Sequence, residues 1–377
     1  MGIGKKKPAG LKKAAKETAK QPAAEPQEPQ EQAADPDTLA VPMSQESSGD
    51  EVAEVSAMLE IALAKLETPD DAEEGALLLR GVVHESDRIL RSRFEHEDPN
   101  APPPQPLPSS FHLAYGSALF RLGLLLLEDE DGEGQESEAL QYVEAAIDRY
   151  ETGLDNDEAD WKLNDALARA LIEKANLTLR SDETFPLKNV DAIITSAFKR
   201  ITTALKSLGS SDLNESVSVI VALVRHAQMR EDVEGGKKWL NLARIELNKL
   251  LKVDPTHVLA LQTLAQTYMT AVNDLLDAGE NGQEIDLGAV QKLIDEALKY
   301  LNKAESVSET SNVKLQLLLG EVYVNKANLL DEADDETKAN EFYKKAVECF
   351  KRVEELDSSA LPEAFDSFLK EWEEDLN

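Results

Sequence analysis

Five times from residue 146 onward, a small residue is followed four places later by a large apolar one. A third inward-facing residue comes three places after that. The copies are Ala146-Tyr150-Gly153, Ala197-Ile201-Ala204, Ala243-Leu247-Leu250, Ala297-Leu301-Ala304 and Ala346-Phe350-Val353. Offsets of four and seven put all three side chains on one face of a helix. The small member lets a neighbouring helix come close, and the large one fills the space beside it. A chain with this pattern is constrained to fold as stacked helix pairs.

The pattern is that of the second helix in a tetratricopeptide-type hairpin. It predicts an all-α fold, an irregular tetratricopeptide-like stack of antiparallel helical hairpins. No alternating β-branched run bounded by hairpin turns competes with that reading. Hairpins are expected from about residue 110, at 110–127 with 136–154, 158–180 with 188–208, 213–229 with 236–252, 257–278 with 286–305, and 311–330 with 336–356. Asp254-Pro255 falls where such a repeat ends, since Pro cannot continue a helix. Leu319-Gly320 with Tyr323 fits a first helix, as does Leu264-Ala265 with Tyr268. The marker alanines lie 51, 46, 54 and 49 residues apart. That exceeds the usual period of about 34, so the repeat is degenerate.

Two further helices precede these hairpins. One is expected over 51–66, with Val52, Val55, Leu59 and Leu66 near one stripe, and Thr68-Pro69-Asp70-Asp71 resets the chain. The next is expected over 72–96, with Leu79, Val82, Val83, Ser86, Leu90 and Phe94 on its inner face. Pro99 to Pro108 reads as an extended connector. At the far end, a capping helix over 361–376 carries Phe365, Phe368, Leu369 and Trp372 on a narrow stripe.

Residues 1–50 are rich in Lys, Ala, Pro, Gln and Glu, and are expected to form a disordered tail that cannot bury enough apolar surface to fold. The formal net charge is −33, yet residues 1–20 contain seven lysines and one glutamate. The rest of the chain therefore carries about −39. So acidic a body repels nucleic-acid phosphates and anionic lipid and attracts basic proteins, which argues against direct nucleic-acid or membrane partners. The basic clusters Lys5-Lys6-Lys7 and Lys12-Lys13 with Lys16 have the composition of a nuclear-import signal. The longest apolar runs, such as Leu124 to Leu127, are too short to span a bilayer, and the chain is expected to be soluble and intracellular.

Candidate chemistry is sparse. The one cysteine, Cys349, excludes an internal disulfide framework and reads as a core residue on the face of Phe342, Ala346, Val353 and Leu356. His84, His96, His112, His226 and His257 fall on separate segments without metal spacing. His84 and Asp87, three apart, could pair on a helix surface. Asp129 to Ser137 resembles a calcium loop only superficially, because Leu140 stands where a bidentate Glu is required. No phosphate-cradling Gly-rich loop or Gly-x-Ser-x-Gly elbow is present. The chain is expected to need no cofactor and no metal, and to be no enzyme.

One segment stands apart. Between residues 80 and 91, Arg80, His84, Asp87, Arg88 and Arg91 crowd one side of a helix whose other side is apolar. These five residues are candidates for a partner-binding face; the alternative is that the arginines lock the helix to acidic neighbours.

The string Gly81-Val82-Val83-His84-Glu85-Ser86-Asp87-Arg88-Ile89-Leu90-Arg91 resembles the fungal enhancer of translation termination family, which includes the negative regulator of the Ofd hydroxylase. The likeness continues in Ala297 to Ala304, in Gly320-Glu321-Val322-Tyr323, in Ala327 to Asp331 and in the Phe365 to Leu369 ending. Ser86 stands where some members carry Cys. The resemblance implies a helical, tetratricopeptide-like nuclear adaptor without catalysis of its own. It implies binding to a 2-oxoglutarate- and iron-dependent prolyl hydroxylase acting on a small-subunit ribosomal protein, with effects on translation termination and hypoxic gene regulation. The hydroxylase would hold the iron. The resemblance also strengthens the import reading of the lysine clusters, which implies contact with an importin. Two rivals remain: a generic tetratricopeptide scaffold, and an acidic chaperone for basic proteins.

Overall fold

Five of the helices begin where an Asp or Asn side chain supplies a partner for free amide hydrogens. In the computed structural model, which describes residues 50–94, 105–128, 135–182, 184–207, 213–230, 232–280, 282–308, 310 and 312–375, Asp50 caps α1 (Glu51–Leu66) by accepting from the Val52 and Ala53 amides. A single 3-10 turn at Pro69–Asp71 leads into α2 (Ala72–Phe94). There follow α3 (Ser109–Glu128), α4 (Glu136–Asn156), α5 (Trp161–Ser181), α6 (Leu187–Ser207), α7 (Leu213–Gln228) and α8 (Val233–Val253). The stack ends with α9 (Val258–Glu280), α10 (Leu287–Val307), α11 (Val313–Glu332), α12 (Glu336–Leu356) and α13 (Glu363–Asp375). Asp160, Asp286, Asn312 and Asp335 cap α5, α10, α11 and α12 in the same way as Asp50. Among the described residues there is no strand.

The helices pack as antiparallel pairs, α3 with α4, α5 with α6, α7 with α8, α9 with α10 and α11 with α12. Expectation and structure differ at the start of the stack. The stack begins at α1 rather than near residue 110, because α1 and α2 form a hairpin of their own. Lys65 at the end of α1 meets Glu74 at the start of α2 at 2.6 Å, while Glu51 at the other end meets Arg88 at 2.6 Å. No small–large triplet marks this pair, which is why the repeat pattern did not reveal it. Of the expected tail over 1–50, all but Asp50, which caps α1, lies outside the described residues, as does most of the proline-rich connector.

Successive first helices touch one another, α1 to α3, α3 to α5, α5 to α7, α7 to α9 and α9 to α11. Each second helix packs on the next first helix. One layer of first helices and one layer of second helices therefore sandwich a core of successive apolar clusters. All five triplets lie in it: Ala146, Ala197, Ala243, Ala297 and Ala346 are fully buried, and so are the large residues Tyr150, Ile201, Leu247, Leu301 and Phe350, at 2% exposure or less. The first helix answers with a small residue of its own. A Cβ added at Gly116 of α3 would lie 2.5 Å from Tyr150 Cε1 of α4, and one at Gly320 of α11 would overlap the Phe350 ring of α12. Close approach, rather than backbone freedom, is what these two glycines supply.

Polar pins set the register of this otherwise greasy stack. Arg169 on α5 donates to Ser218 on α7 at 2.7 Å, and His226 Nδ1 on α7 lies 2.7 Å from Asn176 Oδ1 on α5. Arg230 bridges Asp191 at 3.0 Å and Asp232. Buried Lys326 on α11 reaches Asp295 on α10 at 2.8 Å.

At the carboxyl end, α13 lays Phe365, Phe368, Leu369 and Trp372 over Phe350 and Val347, as expected for a cap, and the Phe350 and Phe365 rings stack at 4.4 Å. Cys349 is buried, and desolvation pushes its thiol up to about 12. Leu356, expected on the same inner face, is instead 45% exposed.

By length and composition Ser109–Leu127 could cross a bilayer, with a mean hydropathy of 1.4, a property that a search for unbroken apolar runs passes over. In the fold 56% of that window is buried, and α3 packs on α1, α2, α4 and α5. Its apolar character is that of a core helix.

Candidate partner-binding face

The candidate residues of α2 form a stripe because 80, 84, 88 and 91 repeat at helical spacing. Leu79, Val82, Ser86 and Ile89 take the opposite, buried side, and Arg80, His84, Arg88 and Arg91 are all exposed. The residues are thus on one accessible face, but they do not form one functional set.

Arg88 is committed to structure. Its guanidinium donates to Glu51 at 2.6 Å and to both oxygens of Glu85 at 2.6 to 3.0 Å. These hydrogen bonds hold Arg88 above its usual range and Glu85 below its own. The charge-lock reading therefore holds for Arg88, which ties α2 to the first turn of α1.

The expected pairing of His84 with Asp87 does not form. Asp87 instead accepts from the Tyr115 hydroxyl of α3 at 2.5 Å and faces Arg91 at 3.8 Å. The Tyr115 phenol is raised first by burial and then by this carboxylate, and Arg149 lies 5.8 Å from its ring centre. Asp87 thus fastens the first hairpin to the second. Nothing in the sequence pointed to Tyr115, which sits 28 residues away. Arg80 and His84 make no hydrogen bond or ion pair among the described residues.

His84 lies on α2, His112 on α3, His226 on α7 and His257 at the start of α9. His112 and His226 are buried, and burial lowers both, His226 to about 4. Among the described residues no group of three or more His, Cys, Asp or Glu side chains could hold a metal ion. His96, residues 129–134 of the acidic loop, and Lys5, Lys6, Lys7, Lys12, Lys13 and Lys16 lie outside the described residues.

Residues 3–213, which include the whole α2 stripe, match the family described as nuclear pore complex subunit Nro1. The chain belongs to the Nro1 family. Among its relatives, the Schizosaccharomyces pombe protein named negative regulator of ofd1 is 34% identical over 142 residues, covering 37% of this chain and 34% of the relative. Enhancer of translation termination 1 of Candida albicans is 29% identical over 207 residues, covering 52% of this chain and 45% of the relative. These matches therefore span less than half of either relative. The Kluyveromyces lactis protein of the same name is 25% identical over 399 residues, covering 82% of this chain and 90% of the relative.

The Nro1 fold is likewise shared. The structure described as the hypoxic regulator of sterol synthesis and nuclear import adaptor Nro1 superposes with a TM-score of 0.57 at 22% identity, covering 86% of this chain and 94% of that one. Membership of the Nro1 family, described as a nuclear pore complex subunit, places this chain in the nucleus.

Proposed function

We propose that this chain is a non-catalytic adaptor that binds a 2-oxoglutarate- and iron-dependent prolyl hydroxylase in the nucleus and restrains or positions it. The observation that carries the reading is the α2 stripe. Its His-Glu-Ser-Asp-Arg core resembles the family string, and it leaves Arg80 and His84 exposed in an otherwise acidic protein. The fission-yeast relative's name, negative regulator of ofd1, supports that class of partner, and the name enhancer of translation termination supports a link to translation. The proposed adaptor contributes surface, while iron and 2-oxoglutarate belong to the hydroxylase. A small-subunit ribosomal protein, as the hydroxylase's substrate, would be drawn to the acidic body by long-range attraction. Import would proceed through an importin reading the lysine clusters of residues 5–16.

Affinity purification of the tagged chain at low salt, with mass spectrometry of the eluate, tests this reading. A prolyl hydroxylase of the 2-oxoglutarate class is the expected companion, and its absence from repeated purifications sinks the proposal. The net charge of −33 favours a second reading, a chaperone for free basic proteins. That reading gains if ribosomal proteins or histones bind in a salt-sensitive manner with no hydroxylase present.

A further inference from the structure

The amino-terminal ends of α7, α9 and α11 lie side by side and line an open cleft of about 500 Å³ that the α2 stripe does not reach. Two buried groups on its wall lack partners. His257, 8% exposed, caps α9 by accepting the Ala260 amide hydrogen on Nδ1 at 3.2 Å. Its ring proton must therefore sit on Nε2, and Nε2 has no acceptor among the described residues. Gln262, 5% exposed, likewise has an unpartnered side-chain nitrogen. Buried donors without acceptors carry an uncompensated desolvation penalty, so a row of them beside a cleft calls for an explanation.

The rest of the lining says what kind of acceptor would fit. Asn312 spends its carbonyl oxygen on the Leu315 amide at 3.2 Å, leaving its NH2 group as a further donor. Asp254 accepts from the Thr256 amide at 2.9 Å and hydroxyl at 2.7 Å through one oxygen, and the other accepts no hydrogen bond among the described residues. An ionised carboxylate in the same cleft repels a phosphate or a second carboxylate at short range. Uncharged carbonyls are the acceptors that suit His257 and Gln262, and a neighbouring N–H suits Asp254. Alternating carbonyl and N–H groups are what an extended main chain presents, and Leu213 and Leu259 give its side chains apolar contact. The surrounding charge, −33 overall, selects for a cationic sequence.

We propose that this cleft is a docking site for an extended, lysine- or arginine-bearing segment of a partner polypeptide. The site is distinct from the α2 face and holds whichever protein brings the segment.

The test uses the full chain and a phage-displayed library of random dodecapeptides, with binding of the selected synthetic peptides then measured by fluorescence anisotropy. Two variants probe the unpartnered donors. Gln262→Leu removes one, and His257→Asn removes Nε2 while keeping an oxygen that can cap the Ala260 amide. Selection is expected to enrich basic peptides whose Kd rises about tenfold or more in each variant but not in Arg80→Ala. Gln262→Leu is expected to keep or raise Tm, because it deletes an unsatisfied polar group, so lost binding cannot be ascribed to unfolding. Failure to enrich any peptide overturns the assignment. Equal binding by wild type and Gln262→Leu overturns it as well, leaving two packing imperfections.

Discussion

The Tyr115 hydroxyl of α3 donates to the Asp87 carboxylate of α2 across 2.5 Å, and this contact joins the first hairpin to the second. Tyr115 is 8% exposed, whereas the Asp87 side chain is 42% exposed, so water competes for one end only. Tyr115→Phe should therefore cost about 1–2 kcal/mol, near the lower end for a hydrogen bond to a charged group. Urea unfolding followed by circular dichroism reads that loss. Asp87→Asn should cost less than Tyr115→Phe, because the amide oxygen still accepts. A larger loss in Asp87→Asn would mean that the carboxylate's charge, felt also by Arg91, outweighs the hydrogen bond.

Gly320 and Phe350 meet where α11 crosses α12, with no room for a Cβ between them. Ala is the better helix former by about 1 kcal/mol, so an isolated helix would gain from Gly320→Ala. Here overpacking should win, with a net loss of about 1–3 kcal/mol and a lower Tm. The double variant Gly320→Ala with Phe350→Leu should recover part of that loss, and a thermodynamic cycle measures the coupling. Purely additive losses would show that the two side chains do not share the space.

Much of this architecture was legible in the sequence because it rests on local periodicity. Ala297, Leu301 and Ala304 share a face by helical geometry alone, and all three are buried. The α2 stripe was legible for the same reason. The partners of its charges were not. Arg88 meets Glu51 and Asp87 meets Tyr115 through contacts 37 and 28 residues apart, and one-dimensional spacing carries no record of those. The first hairpin was missed because α1 and α2 close on Gly75 against Leu66 rather than on an Ala–large triplet. His257 shows the same limit: its isolation in the sequence says nothing of Gln262, Asn312 and Leu213 around one cleft.

His226 is fully buried, and burial lowers it to about 4 from an ordinary 6.5. A histidine whose folded-state pKa is depressed binds its proton more readily when unfolded. Its neutral form therefore supports the fold above about 6.5, and that support is lost as pH falls from 6.5 toward 4, on the order of 2–3 kcal/mol in all. Asp165, pushed up to about 6 by burial, acts in the opposite sense, since its protonation below 6 favours the fold. The comparison of wild type with His226→Gln removes that background. The variant should lose stability at neutral pH, but the difference should shrink between pH 6.5 and 4 in urea titrations. A constant difference would show that His226 does not titrate with folding.

Changing Lys5, Lys6, Lys7, Lys12, Lys13 and Lys16 to Ala should move a fluorescently tagged chain from nucleus to cytoplasm. The helical stack starts at Glu51, so its stability should be unchanged. Unaltered nuclear accumulation would assign import to another surface or to a carried partner.

The α2 stripe divides into residues that hold the fold and residues that are free. Arg88 bonds Glu51 and Glu85, whereas Arg80 and His84 bond nothing among the described residues. Arg88→Ala should lower stability only slightly, since the pair is exposed and screened. Arg80→Glu with His84→Glu should leave Tm within a degree or two, because surface changes without partners cost little. The same double variant should weaken hydroxylase binding by about tenfold, through charge repulsion at a contact face. Biolayer interferometry with the immobilised chain reads the affinity, and differential scanning fluorimetry reads Tm on the same preparations. If Arg88→Ala weakens binding more than the double variant does, the partner reads the order of the α1–α2 hairpin rather than its free charges. If neither alters binding, the hydroxylase contacts a different layer of the stack, and the α2 stripe serves only to join the first two hairpins.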